Sequence, residues 1–222
     1  MQEFKISNLS LADIKTIVTL QETSGTFFVW EDISLIELTE AEYYDVNLLQ
    51  KQLQNTPVHL FNEATIWARA TYPLLLLAEQ GNIQVWAEVA LRAQYPQFDL
   101  EGIADGVIGR SGIGRITTPY LVMTLTKRWI EAQNPIFQLY GELLAAAWMN
   151  WQQNKHEPQG IFGYYTIADS WTFLRAEISH IKSDRPHLQV ECSREYNERL
   201  ETAIILKLLK QIVAKQIFNT PI

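Results

Sequence analysis

Cysteine is almost absent: Cys192 stands alone among 222 residues. A lone thiol excludes an internal disulfide and a cysteine-based zinc site. Long apolar runs are missing too, and none approaches the roughly 18 residues needed to span a bilayer. The opening Met1-Gln2-Glu3-Phe4-Lys5 has neither the basic start nor the apolar stretch of a signal peptide. A soluble chain in the cytoplasm, without membrane contact, is therefore expected. No internal repeat is visible, and no Pro/Gly/Ser-rich linker divides the chain. The four histidines, His59, His156, His180 and His187, are scattered and show no metal-ligand spacing. The glycines from Gly106 to Gly114 do not lead into Gly-Lys-Ser/Thr, so they do not form a phosphate loop.

What is present is ordinary for a folded domain: 47% hydrophobic and 19% charged residues. Disorder is excluded, and the length is ample for a substantial core. The net charge of −7 is unevenly placed. Residues 1–60 hold nine acids against three lysines, whereas residues 110–128 carry Arg110, Arg115, Lys127 and Arg128 with no acid. An acidic total argues against indiscriminate nucleic-acid binding and leaves room for one local basic groove. Arg110, Arg115 and Arg128 are the candidates for that groove, and Trp129 is the candidate for base stacking.

The first 56 residues are the least legible and are expected as an extension packed on the core. Leu9–Leu20 suits helix or strand. Phe27–Trp30 reads as a strand after Ser24-Gly25, with Ser34–Leu38 as its partner. Thr39 is expected to cap a helix over Ala41–Leu53, with Glu42 completing a capping box. From residue 57 to 222 the pattern sharpens into one α/β (α+β) domain. Asn62 caps a helix, Pro73 interrupts it and Gly81 ends the apolar segment beyond. Alternation predicts a strand from Ile83, a second over Leu100–Ile108, a turn at Ser111–Gly114 and a third over Tyr120–Thr126. Asn134-Pro135 starts a helix to about Trp151. Gly160–Ile167 and Trp171–Ile178 come next as a hairpin, then His187–Cys192, and an amphipathic helix over Glu195–Phe218 closes the chain. The expected architecture is a central mixed sheet with helices on both faces. The helix between the third and fourth strands permits a parallel pairing there.

Several polar residues stand out against this pattern. Asp105 lies inside the apolar run Leu100-Glu-Gly-Ile-Ala-Asp105-Gly-Val-Ile-Gly109. A buried acid without a partner is costly, so it either accepts turn hydrogen bonds at a strand end or does chemistry. Lys127 ends the third strand and shares a face with Leu125. Pairing through the Gly112–Gly114 turn would set it beside Asp105. Gln138 and Glu142 are one turn apart on the next helix. Glu63 sits in the first turn of the leading helix, where an acid is also favoured by the helix dipole.

Glu63, then Asp105 in its apolar strand, then Pro119-Tyr-Leu-Val-Met-Thr-Leu-Thr-Lys127, then Gln138-Leu-Tyr-Gly-Glu142, then Gly163-Tyr-Tyr-Thr166 with Trp171-Thr-Phe173 resembles the restriction-endonuclease-like, or PD-(D/E)XK, superfamily over residues 60–178. The resemblance implies that Asp105 and an acid two residues before Lys127 bind Mg²⁺. It implies that Lys127 orients or activates the attacking water, with Gln138 and Glu63 in support. Such a site matches magnesium's demand for hard oxygen ligands. This chain has Leu125 at the second acid position. A carboxylate could be recruited from Glu142 or Glu88, whereas Glu101 lies about 13 Å along the strand. Loss of the second acid and the acidic N-terminal segment favour a non-catalytic module that binds nucleic acid or a partner. Retention of Asp105, Lys127 and Gln138 favours a Mg²⁺-dependent nuclease. A third reading sets DNA aside and uses the C-terminal helix for a homodimer or a protein partner.

Overall fold

A computed structural model describes residues 2–25, 27–128 and 134–219 of the chain, and the side chains of 216–219 are left undescribed. In chain order the elements are β1 (Gln2–Lys5), α1 (Leu11–Ile17), β2 (Thr19–Ser24), α2 (Glu40–Gln54), α3 (Glu63–Ile66), α4 (Tyr72–Leu77), β3 (Ile83–Gln94), β4 (Phe98–Gly112), β5 (Arg115–Lys127), α5 (Pro135–Asn154), β6 (Gln159–Ile167), β7 (Ser170–Ser179), β8 (His187–Asn197) and α6 (Glu198–Asn219). Eight strands form one mixed sheet in the order β1-β4-β5-β6-β7-β8-β2, with β3 paired to β4.

The centre of the sheet is the antiparallel meander β3-β4-β5, then α5 as a crossover, then β6 parallel to β5. β4 is long enough to serve three neighbours. β3 runs along one of its edges from Asp99 to Arg110, while the other carries β1 at Phe98–Glu101 and β5 at Gly106–Gly112. Residues 1–56 enter the sheet directly, since β1 pairs with β4 and β2 pairs with β8. Both pairings are parallel.

Helices cover both faces. On one side α1 and α5 pack over the sheet around Ile14, Leu139, Leu143 and Leu144. On the other, α2, α4 and α6 pack around Val46, Leu74, Ile205 and Leu209. The capping residues read from the sequence do their expected work. Thr39 and Glu42 form a reciprocal capping box on α2. Asn62 accepts from Thr65 N–H at 2.8 Å, and Asn134 accepts from Ile136 N–H at 3.1 Å. Pro73 falls in the first turn of α4, just after a π-helical stretch over Trp67–Thr71. A ring without an N–H is tolerated there because first-turn donors have no helical partner.

Three expectations are corrected. Phe27–Trp30 and Ser34–Leu38 do not pair as strands. Val29–Glu31 is instead a 3₁₀ turn, drawn in by Glu31, whose buried carboxylate accepts from Phe28 N–H at 3.1 Å and from the Tyr196 hydroxyl at 2.7 Å. The edge strand is the polar segment Thr19–Ser24. The apolar stripe of the C-terminal helix packs inward: Ile205, Leu208, Leu209 and Ile212 are buried in the core beneath the sheet. Of the long apolar side chains, Leu200 near its start is exposed. Among the described residues no helix is long and apolar enough to cross a membrane.

Candidate functional site

The site assembles where β4–β5 pairing ends. The last paired residues are Gly106 and Thr124. One residue further, Asp105 reaches across, and its Oδ2 accepts from Thr126 N–H at 2.7 Å. One oxygen thus serves the fold by satisfying a strand-edge donor, the structural role a strand-end acid is expected to play. The remaining oxygen is available for chemistry. Gly106 makes the neighbouring approach possible. A Cβ there would lie 2.3 Å from the Trp67 ring and 2.6 Å from Thr124 Oγ1, so only glycine lets the leading helical segment press onto this strand.

Lys127, the last residue of β5, is partly buried and lies 3.7 Å from Glu63 Oε2 at the start of α3. From the other side of the sheet, α5 brings Gln138 and Glu142. Gln138 Nε2 donates to Glu142 Oε1 at 3.1 Å. Glu142 is fully buried, and its Oε2 has no hydrogen-bond partner. Gly141 admits the N-terminal segment against α5: a Cβ there would meet Leu9 Cδ1 at 2.4 Å. Leu125, in the position where the family motif has an acid, is completely buried among the α5-side core residues.

Electrostatics tie these groups together. Burial pushes the Asp105 carboxyl above its usual range. The Thr126 N–H and the Lys127 ammonium pull it down, and the charges of Glu63 and Glu88 push it up. Burial pushes Glu142 well above its usual range, and the Asp105 charge adds to that. Its hydrogen bond from Gln138 and the charge of Lys127 act in the opposite sense. A buried carboxylate raised further by a neighbouring carboxylate is a recurrent feature of functional sites. Glu88 joins from β3. It lies between the Ala87–Gly106 and Val89–Ala104 pairs, hence opposite Asp105, and adopts φ 53°. A left-handed non-glycine residue inside a strand is strained.

Glu63, Asp105, Lys127, Gln138 and Glu142 therefore come together. The arginines do not. Arg110 and Arg115 sit at the β4–β5 hairpin end. Arg128 comes just after Lys127 at the opposite end of β5, about 40 Å away at roughly 3.3 Å per residue. The local charge of residues 110–128 is split between two ends of a strand, which corrects the expectation of one basic groove. Trp129 lies outside the described residues. His180 and His187 prove to be neighbours, their ring centroids 4.4 Å apart across the β7–β8 turn.

No family model matches the sequence, and no curated protein matches it. The site's meaning must come from its chemistry.

A divalent metal is the group that this chemistry would suit. No set of three His, Cys, Asp or Glu side chains among the described residues could hold an ion. Magnesium asks for less: one or two carboxylates, with water and substrate phosphate completing six oxygens. The free oxygen of Asp105 and the orphaned Oε2 of Glu142 are two such donors. Burial and the charge of Asp105 both disfavour a second negative charge on Glu142, and a cation would offset that. Asp105 and Glu142 are the two carboxylates that would hold such an ion. Glu142 was legible as a candidate from its spacing to Gln138. Its complete burial was not, because that depends on α5 lying across the strand ends.

Proposed function

We propose that this chain is a divalent-metal-dependent phosphodiesterase of restriction-endonuclease-like type, acting on DNA, in which Glu142 of α5 takes over the role of the acid missing at Leu125. The observation that carries this reading is the fully buried Glu142, which feels the charges of Asp105 and Lys127 and keeps one oxygen without a partner. The order β3-β4-β5-α5-β6, with Asp105 on the middle strand and Lys127 ending the next, supports it.

In this reading Asp105 and Glu142 hold the metal. When bound, a divalent cation lowers the pKa of its water and stabilises the leaving oxygen. Lys127, steadied by Glu63, places an ammonium group where negative charge builds on phosphorus. Gln138 fixes the orientation of Glu142 by donating to Oε1, which leaves Oε2 facing inward. Leu125 keeps bulk water away from the rear of the pocket.

A second reading rests on Leu125 itself. An apolar, fully buried side chain stands at a ligand position of the motif, so the chain would bind nucleic acid or a partner without cutting it. Incubation with single- and double-stranded DNA in Mg²⁺ or Mn²⁺ separates the two. Nuclease function predicts cleavage that falls at least about 100-fold in both Asp105→Asn and Glu142→Gln, in the range seen when key electrostatic groups are removed. Absence of cleavage, together with no heat of Mg²⁺ or Mn²⁺ binding by calorimetry, would leave the binding module.

A further inference from the structure

The opposite end of the β5–β6 pair holds a second site. A half-open cavity of about 1020 Å³ lies between β5, β6, the end of α5 and the Phe27–Trp30 segment. That volume is at the upper end of the range for small-molecule sites. It belongs to neither the Asp105 pocket nor the chemistry proposed there, because β5 lines it at Pro119–Leu121, well before Lys127 on the same strand.

One wall is aromatic. Phe28 and Trp30 are stacked with centroids 6.0 Å apart and planes within 8°. Trp30 also meets Phe162 edge-on at 5.6 Å. At the mouth, Phe27 and Val29 are left 74% and 86% exposed.

The other wall is charged. Arg175, Lys215 and Glu191 face the space. Glu191 Oε2 is already engaged, accepting from Trp30 Nε1 at 2.9 Å and from Arg175 at 3.4 Å. Lys215 makes no salt bridge among the described residues. Burial lowers its pKa, the charge of Asp32 raises it, and the positive charge of Arg175 lowers it again. Arg175 is bridged to Glu177 at 3.5 Å as well as to Glu191, so Lys215 is the lining cation without a salt bridge among the described residues.

Two of the neutral polar side chains on the rim are engaged. Asn150 uses both ends of its amide on the Tyr120 backbone, at 2.7 and 2.8 Å. Asn154 accepts from Gln159 at 2.9 Å. Shape and charge are what remain for recognition.

We infer that this cavity binds a flat aromatic anion, its ring against Phe28, Trp30 and Phe162 and its acid group between Arg175 and Lys215. An arginine and a lysine lining one cavity suit a carboxylate or a phosphate equally, since both present oxygens to such donors.

Fluorescence titration with anilinonaphthalene sulfonate tests it, with the neutral phenylnaphthylamine as the ring without the charge. The expected result is one saturable micromolar site for the sulfonate, at least tenfold tighter than for the neutral ring. Lys215→Met, which keeps the alkyl stem and breaks no ion pair, weakens sulfonate binding about tenfold and leaves the neutral ring unchanged. Arg175→Met repeats the test from the other cation. Displacement by naphthoate or by naphthyl phosphate identifies the acid group. Equal binding of the two dyes, sulfonate binding unmoved in both variants, or displacement by neither acid would overturn the assignment.

Discussion

The two ends of the β5–β6 pair handle buried polarity in opposite ways. At the Lys127 end, Asp105 and Glu142 are both desolvated, the Asp105 charge acts on Glu142, and Glu142 keeps an unpartnered oxygen. At the Tyr120 end, nearly every polar group has found its match. Asn150 is closed on the Tyr120 backbone, Asn154 on Gln159, and Glu191 on Trp30 and Arg175. What is left over there is positive charge on Lys215. Satisfied polar groups build the frame, because each unsatisfied one costs about 1–3 kcal/mol. Groups left unsatisfied, or surplus in charge, are where an external partner supplies the missing half of the interaction.

The strongest way to break this comparison is Leu125→Asp, which places a third acid near Asp105 and Lys127 in a fully buried position. Without metal it should destabilise the fold by about 3–5 kcal/mol, the cost of an unpaired buried charge. Saturating Mn²⁺ should recover much of that loss, as binding to the native state alone must. Thermal melting with and without the metal reads both numbers. An unchanged melting temperature without metal would mean that Leu125 does not occupy a desolvated ligand position.

Gly106→Ala gives a smaller effect. The added methyl would collide with Trp67 and Thr124, so a loss of about 1–3 kcal/mol is expected in denaturant titration. The same shift should loosen the leading helix and separate Glu63 from Lys127. A variant as stable as the parent would show that the helix can move aside freely.

Glu198→Gln sharpens the comparison by supplying a control, a carboxylate buried away from either site. Glu198 accepts from Trp171 Nε1 at 2.8 Å, and burial pushes its pKa to about 8. A free glutamate titrates near 4.5. Between those values the folded protein holds a proton that the unfolded chain has lost. Stability therefore falls as pH rises from 4.5 to 8, by at most about 1.4 kcal/mol per pH unit for this group. Glutamine should remove that part of the slope. If melting curves of parent and variant keep the same pH dependence, Glu198 does not titrate in this window.

Much of the frame was legible in the order of residues. Asn62, Thr39 and Asn134 announced three helix starts because a side-chain acceptor before an amphipathic run has one favourable use. The strands from Ile83 to Ile178 were legible from alternation and from apolar, β-branched runs, although β3, β4 and β5 extend beyond the expected ends. The segment from Phe27 to Leu38 misled for a physical reason. Its β-branched and aromatic side chains suit a strand, but burial of the Glu31 carboxylate against Tyr196 rewards a turn, and that contact spans 165 residues. Of the candidate site, Asp105, Lys127 and Gln138 were readable from position. The aromatic cavity was not, since its walls come from six separate stretches of chain.

Local order, then, was settled by the sequence: where helices begin, which runs alternate, and where the β4–β5 hairpin turns. These depend on interactions within a few residues, which composition and spacing expose directly. Tertiary structure alone decided that Glu142 is buried beside Asp105, that the arginines of residues 110–128 part company, and that the last helix turns its apolar side inward. Each of those outcomes depends on how distant segments exclude water together, a property that no single stretch of chain carries.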